Sequence, residues 1–124
     1  MTEFKVKIIK ENRKPVAIQA AQVNGRMVNI ILKDEPQAMS WEKANFKSIP
    51  TLAEWVAILE NIKEVNEALK RAGGEPLKDE YYWSSSELYG SDNLAWVVSP
   101  SDGYVYFPSK TFSYRVRCLF IEGN

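Results

Sequence analysis

The chain has 124 residues, 45% of them hydrophobic and 26% charged, and its 16 basic and 16 acidic side chains leave no net charge. That length suits one domain with a core of its own, without support from metal or disulfide, and the balanced charge gives no long-range field to attract nucleic acid or an anionic membrane. With no histidine and a single cysteine, the commonest general base and zinc ligand is missing, and no internal disulfide can close.

The first 20 residues, MTEFKVKIIKENRKPVAIQA, are charged throughout and lack the apolar block of a secretory signal. No later run reaches membrane-spanning length. The expectation is no membrane insertion and a cytoplasmic or phage-virion location. Within this stretch, FKVKIIK (4–10) sets Phe4, Val6 and Ile8 against Lys5 and Lys7, the period of a strand with one buried face. In PVAIQAAQVNGRMVNIILKD (15–34), Asn24-Gly25 lies between two apolar arms and tolerates the positive φ of a two-residue hairpin turn. Strands are therefore predicted over 4–10, 15–23 and 26–33.

Two helical starts follow. Ser40 is placed to cap WEKA, with Trp41 and Ala44 on one face. In PTLAEW (50–55), Thr51 and Glu54 have the spacing of a capping box. Trp55, Ile58, Leu59, Ile62, Val65 and Leu69 then recur at threes and fours until Gly73-Gly74, where a left-handed ending carries no Cβ penalty. A helix with a break near Asn61, covering one side of a sheet, is the expectation.

From Tyr81 the pattern changes. Short runs YYWSSSE, LAWVVS, YVYF and SYRVRCLFIE are separated by YGSDN, PSDG and PSK, whose Gly, Pro, Asp, Asn and Ser favour turns. This predicts an antiparallel meander. With no repeat, linker or low-complexity tract, residues 1–124 read as one α+β domain of antiparallel strands with one or two helices.

Chemistry is sparse. Cys118, in YRVRCLF, would share a strand face with Tyr114, Val116 and Phe120, and reads as a small buried hydrophobe rather than a nucleophile. Glu87, Asp92 and Asp102 lie on turns without the spacing of a calcium loop, and the glycines lack phosphate-cradling order before a helix. No cofactor, metal or catalytic constellation is expected. Arg115 and Arg117 are expected to pair with carboxylates such as Glu87 or those of the helix. Trp41, Trp55, Trp83 and Trp96 are expected to anchor the core.

What remains is an excess of rings and hydroxyls. Residues 81–124 hold all six tyrosines, two of the four tryptophans and three of the five phenylalanines, interleaved with serines such as Ser99, Ser101 and Ser113. Tyrosine beside serine is the chemistry of antibody-like contact surfaces, where rigid amphipathic rings are combined with adaptable hydroxyls. β-rich segments also prefer aromatics, and serine marks turns. Composition leaves both readings open.

MSWEKA, SIPTLAEW, YYWSSSE, AWVV, SDGYVYFPSK and YRVRCLF, in this order and spacing, give residues 38–121 a resemblance to a bacterial C-type-lectin-like family of unknown function. That family is related to the C-terminal domain of collagen-like adhesins and, more distantly, to formylglycine-generating enzymes. The tail also resembles the variable region of proteins diversified by retroelements, often phage receptor-binding or cell-surface proteins. The resemblance implies a fixed scaffold of Trp83-Ser84-Ser85, Ala95-Trp96, Gly103 and Arg115-Val116-Arg117. Between these residues it implies ligand-facing positions at Tyr89, Ser91, Asn93, Ser99, Ser101, Tyr104, Tyr106, Thr111, Phe112 and Tyr114.

Two features depart from the pattern. One cysteine cannot supply the related enzymes' catalytic pair, and the calcium-lectin tripeptides Glu-Pro-Asn, Gln-Pro-Asp and Trp-Asn-Asp are absent. The expected function is recognition of a protein or glycan without catalysis, with alanine at Tyr104, Tyr106 and Tyr114 removing binding and sparing stability. The alternative is a structural or oligomerising subunit of a phage or cell-surface assembly, whose aromatics form the interface between copies.

Overall fold

A two-residue turn organises the N-terminal third. Asn24 and Gly25 take φ of 51° and 78°, the left-handed pair that matches the twist of a tight hairpin. They join β2 (Lys14–Val23) to β3 (Arg26–Ile31). A second such turn, with Asn12 at 50° and Arg13 at 69°, joins β1 (Lys7–Glu11) to β2. The computed structural model describes residues 3–121, and in it these strands form an antiparallel three-stranded sheet in chain order. The register of β2 against β3 shifts between Gln19 and Ala21, and the buried Ala20 and Ala21 lie at this bulge.

The helices come next: α1 (Trp41–Asn45), α2 (Leu52–Glu60) and α3 (Ile62–Arg71). Ser40 precedes α1 in extended geometry, but its side chain makes no cap bond, contrary to expectation. The capping box of α2 is present in full: Glu54 N–H donates to Thr51 Oγ1 at 3.1 Å and Thr51 N–H donates to Glu54 Oε1 at 2.8 Å. The break falls at Asn61, whose side-chain amide donates to Ala20 O and Ala57 O and pins the corner to β2. α3 ends at Gly73, with φ of 79°. Its neighbour Gly74 passes so close to Leu32 that a Cβ there would lie 2.6 Å from the Leu32 carbonyl oxygen.

The second sheet is β4 (Tyr82–Glu87), β5 (Ala95–Val98) and β6 (Val105–Tyr106), antiparallel in that order. The whole is a mixed α+β single domain with two antiparallel sheets and three helices among the described residues. Strand alternation divides the core in two. Tyr82 and Val98 pack with Ile18, Val28, Ile30, Trp55, Ile58, Val65 and Leu69, between the first sheet and the long helices. On the other face, Trp83 and Val97 pack with Trp41, Ala44, Ile49, Ala95 and Val116.

The tail departs from the expected meander. It does not pair with β6; it makes isolated bridges, parallel from Arg115 to Tyr82 and antiparallel from Leu119 to Ile30. Trp83 N–H donates to Arg115 O at 3.0 Å and Ile31 N–H donates to Cys118 O at 3.0 Å, so residues 115–119 tie the two sheets together. The last residue of the predicted run, Glu122, lies outside the described residues.

Two side-chain expectations are also corrected. Arg115 pairs with Glu80 and Arg117 with Asp34, while Glu87 is taken by Lys110. Of the tryptophans, Trp41, Trp55 and Trp83 are buried, their indole N–H groups donating to Ser84 O, Trp83 O and Met39 O. Trp96 is only half-buried, because it lies on the open part of β5 and meets the exposed ring of Phe107 at 5.1 Å. It is a surface ring and not a core anchor.

Candidate ligand-binding surface

Tyr81 immediately precedes β4 and falls two residues from Trp83, and the register from Trp83 to Val97 to Tyr106 brings the last strand's tyrosine beside them. The tail lays Tyr114 over Trp83, ring centroids 5.1 Å apart. Tyr81, Tyr106 and Tyr114 then form a trio. Their centroids are 4.8 to 6.4 Å apart and their planes meet at 78° to 90°, the edge-to-face arrangement that aromatic quadrupoles favour. The hydroxyls of Tyr106 and Tyr114 share a hydrogen bond of 2.6 Å.

The turn from β5 to β6 frames this trio. Ser99 N–H donates to Tyr104 O and Gly103 N–H to Ser99 O, with Gly103 at φ of 79°. Asp102 Oδ1 accepts from Tyr104 N–H at 3.0 Å, and the Ser101 hydroxyl bonds to Asp79. Tyr104 projects from the turn and is 68% exposed; Tyr106 and Phe107 are 39% and 44% exposed. Burial, then Asp102, Tyr106 and Tyr104, raise the Tyr81 pKa. Burial and the bond from Tyr106 raise that of Tyr114. Both shifts favour the neutral phenol of Tyr81 and Tyr114, which can donate and accept a hydrogen bond.

A second group lies around Lys110. Its Nζ bonds to Glu87 Oε2 at 2.5 Å and Asp92 O at 2.7 Å, and sits 4.3 Å from the Trp41 ring centroid. Lys110 N–H donates to Asn93 O, Asn93 N–H to Ser91 Oγ, and the hydroxyls of Ser109 and Thr111 share a bond. Phe112, beside Thr111, is exposed, and Tyr89 is fully exposed on the loop after β4.

The ten predicted positions thus divide. Ser101, Tyr104, Tyr106 and Tyr114 collect on one side, and Ser91, Asn93, Thr111 and Phe112 on the Lys110 side, with Tyr89 projecting alone. Ser99 is a correction: it is buried, its hydroxyl turned to Ser101, so it shapes the turn and does not face a ligand. Tyr114 is half-buried and serves the frame as well as the surface. Tyr81 at the centre of the trio was not predicted, nor was the exposed Phe107, although the alternation of Tyr81 with Trp83 was available as a signal.

Four shallow depressions of about 370–400 Å³ lie along the N-terminal sheet, the helices and the tail, and none of these four is lined by the ten positions. Among the described residues, no group of three or more His, Cys, Asp or Glu side chains is arranged to hold a metal ion, and no helix is long and apolar enough to cross a membrane. Neither a family model nor a curated protein sequence matches the chain.

Proposed function

We propose that the chain is a C-type-lectin-like recognition module that binds a protein or glycan through the tyrosine surface, without catalysis. The observation that carries this reading is the run Tyr104, Val105, Tyr106 and Phe107, four consecutive exposed apolar or aromatic residues at the edge of a sheet whose inner positions are buried. Monomeric proteins seldom leave such contiguous apolar surface without a use. Beneath it, Trp83 and Tyr114 supply a close-packed base, which keeps the ordering cost of binding low. Two antiparallel sheets with three helices give the α+β class that a C-type-lectin-like assignment requires. The exposed positions, Tyr89, Asn93, Ser101, Tyr104, Tyr106, Thr111 and Phe112, are those a diversified binding protein would vary, since none holds the core.

A screen of immobilised glycans and displayed peptides tests the reading. Capture by the wild-type chain, lost in Tyr104→Ala/Tyr106→Ala, is the expected result. The competing assembly reading also uses exposed aromatics; it is favoured instead if the free protein sediments as an oligomer at micromolar concentration and the double variant sediments as a monomer.

A further inference from the structure

Two exposed carboxylates, Asp79 and Asp102, flank the tyrosines. Four of the molecule's carboxylates are matched by cations: Glu54 with Arg26, Glu35 with Lys47, Glu87 with Lys110, Asp34 with Arg117. Beside the tyrosine surface, Asp79 and Asp102 are exposed and form no ion pair among the described residues; each accepts one neutral hydrogen bond, from the Ser101 hydroxyl and the Tyr104 amide. The nearby cation Arg115 is held by Glu80 at 3.0 Å, and Lys78 turns to Asp34 and Glu75. Asp79 and Asp102 therefore stand beside the rings as two carboxylates without a cation partner among the described residues.

Ring geometry points the same way. The near-perpendicular planes of Tyr81, Tyr106 and Tyr114 pack edge to face. Tyr104 and Tyr106 stay accessible at the outer rim. Aromatic faces carry the negative lobe of the quadrupole and attract ammonium and guanidinium groups. Resting on the recognition reading above, we infer that this surface binds the arginine or lysine side chain of a protein ligand, in preference to a neutral sugar. The ring faces take the cation and its alkyl stem, while Asp79 and Asp102 supply the opposing charge.

The test is an NMR titration of the tyrosine ring protons in the whole chain. The probes, at millimolar concentration, are end-blocked Gly-Arg-Gly, Gly-Lys-Gly and Gly-Glu-Gly and a set of neutral methyl glycosides. The basic peptides are expected to shift the Tyr104 and Tyr106 rings, less so as salt is raised. The pair Asp79→Asn and Asp102→Asn keeps both hydrogen bonds and removes both charges; it is expected to weaken basic-peptide binding roughly three- to tenfold, with an unchanged urea midpoint. Equal shifts from the glutamate peptide or the glycosides, or no effect of the Asn pair, overturn the cation inference and leave the recognition reading standing. No shift from any probe counts against both.

Discussion

Arg117 and Asp34 are 83 positions apart in the chain and 2.7 Å apart in space, with side chains 0% and 3% exposed. The same guanidinium donates to Ile31 O at 3.1 Å and to Glu75 O at 2.8 Å, and Asp34 also accepts from the Tyr82 hydroxyl. One buried cation thus joins the end of β3, the segment after α3 and the tail. Removing the guanidinium leaves the buried Asp34, among the described residues, with only the Tyr82 hydroxyl and the longer contact to Lys78 at 3.7 Å. Arg117→Met should therefore cost about 3–5 kcal/mol in urea unfolding. A loss below about 1 kcal/mol would mean that the pair does not hold the two sheets together.

Tyr82 carries a pH prediction. Burial raises its pKa far above the usual phenol range, with Asp34 adding to the effect and the Lys78 amide opposing it. The fold favours the neutral phenol, so above about pH 10 the unfolded chain holds fewer protons than the native one, and stability falls as pH rises. Below that range this contribution is constant. Tyr82→Phe should be less stable at pH 7 by about 1 kcal/mol, yet decline less steeply than wild type between about pH 10 and 12 in urea melts.

Cys118 is half-buried, and burial, with Glu35 at 3.7 Å next in effect, pushes its thiol up to about 11. A rise of about two units lowers the thiolate fraction at neutral pH roughly a hundredfold, and the thiolate is the reactive form. Iodoacetamide at pH 7 should label the native thiol about two orders of magnitude more slowly than the urea-unfolded one. Labelling at the unfolded rate would reopen a thiol mechanism.

The tyrosines should separate by role. Tyr104→Ala should change stability by less than about 0.5 kcal/mol, as exposed substitutions do. Tyr114→Ala removes a ring packed against Trp83, Tyr81 and Tyr106 and should cost about 2–3 kcal/mol. Of the three tail tyrosines, only Tyr104 makes no ring contact or side-chain hydrogen bond among the described residues that truncation would remove, whereas Tyr106 packs on Tyr81 and bonds to the Tyr114 hydroxyl. Parallel urea melts of the single variants check the split.

What could be read from sequence was local. The Thr51/Glu54 capping box, the Asn24-Gly25 hairpin and the break at Asn61 are set by neighbours within a few residues, and their chemistry is visible in a short window. The turn at Asn12-Arg13 was not, because arginine in the left-handed region is held by strand register and not by its own preference. The partners of Arg115 and Arg117 were hidden for a related reason: alternation says which face a side chain takes, but not which carboxylate arrives there from 35 or 83 residues away. The tail read as a strand by composition, yet the sheet it was assigned to ends at β6, and its hydrogen bonds go instead to β3, to the start of β4 and to Glu35, Met39 and Ser48 in the segments between elements. Of the candidate surface, the rim was legible as exposed tyrosine and serine. The inward turn of Ser99 and the central place of Tyr81 depend on registers between strands that only the folded chain supplies.

The most direct test joins binding to stability in one protein. Tyr104→Ala/Tyr106→Ala is prepared as the whole chain, and its capture of whatever ligand the wild-type chain selects is measured beside its urea midpoint. Capture should fall at least tenfold, the loss expected when two contact rings worth about 1 kcal/mol each are removed, while the chain stays folded with a midpoint above that of Tyr114→Ala. Undiminished capture by a stable double variant would contradict the assignment of recognition to this surface.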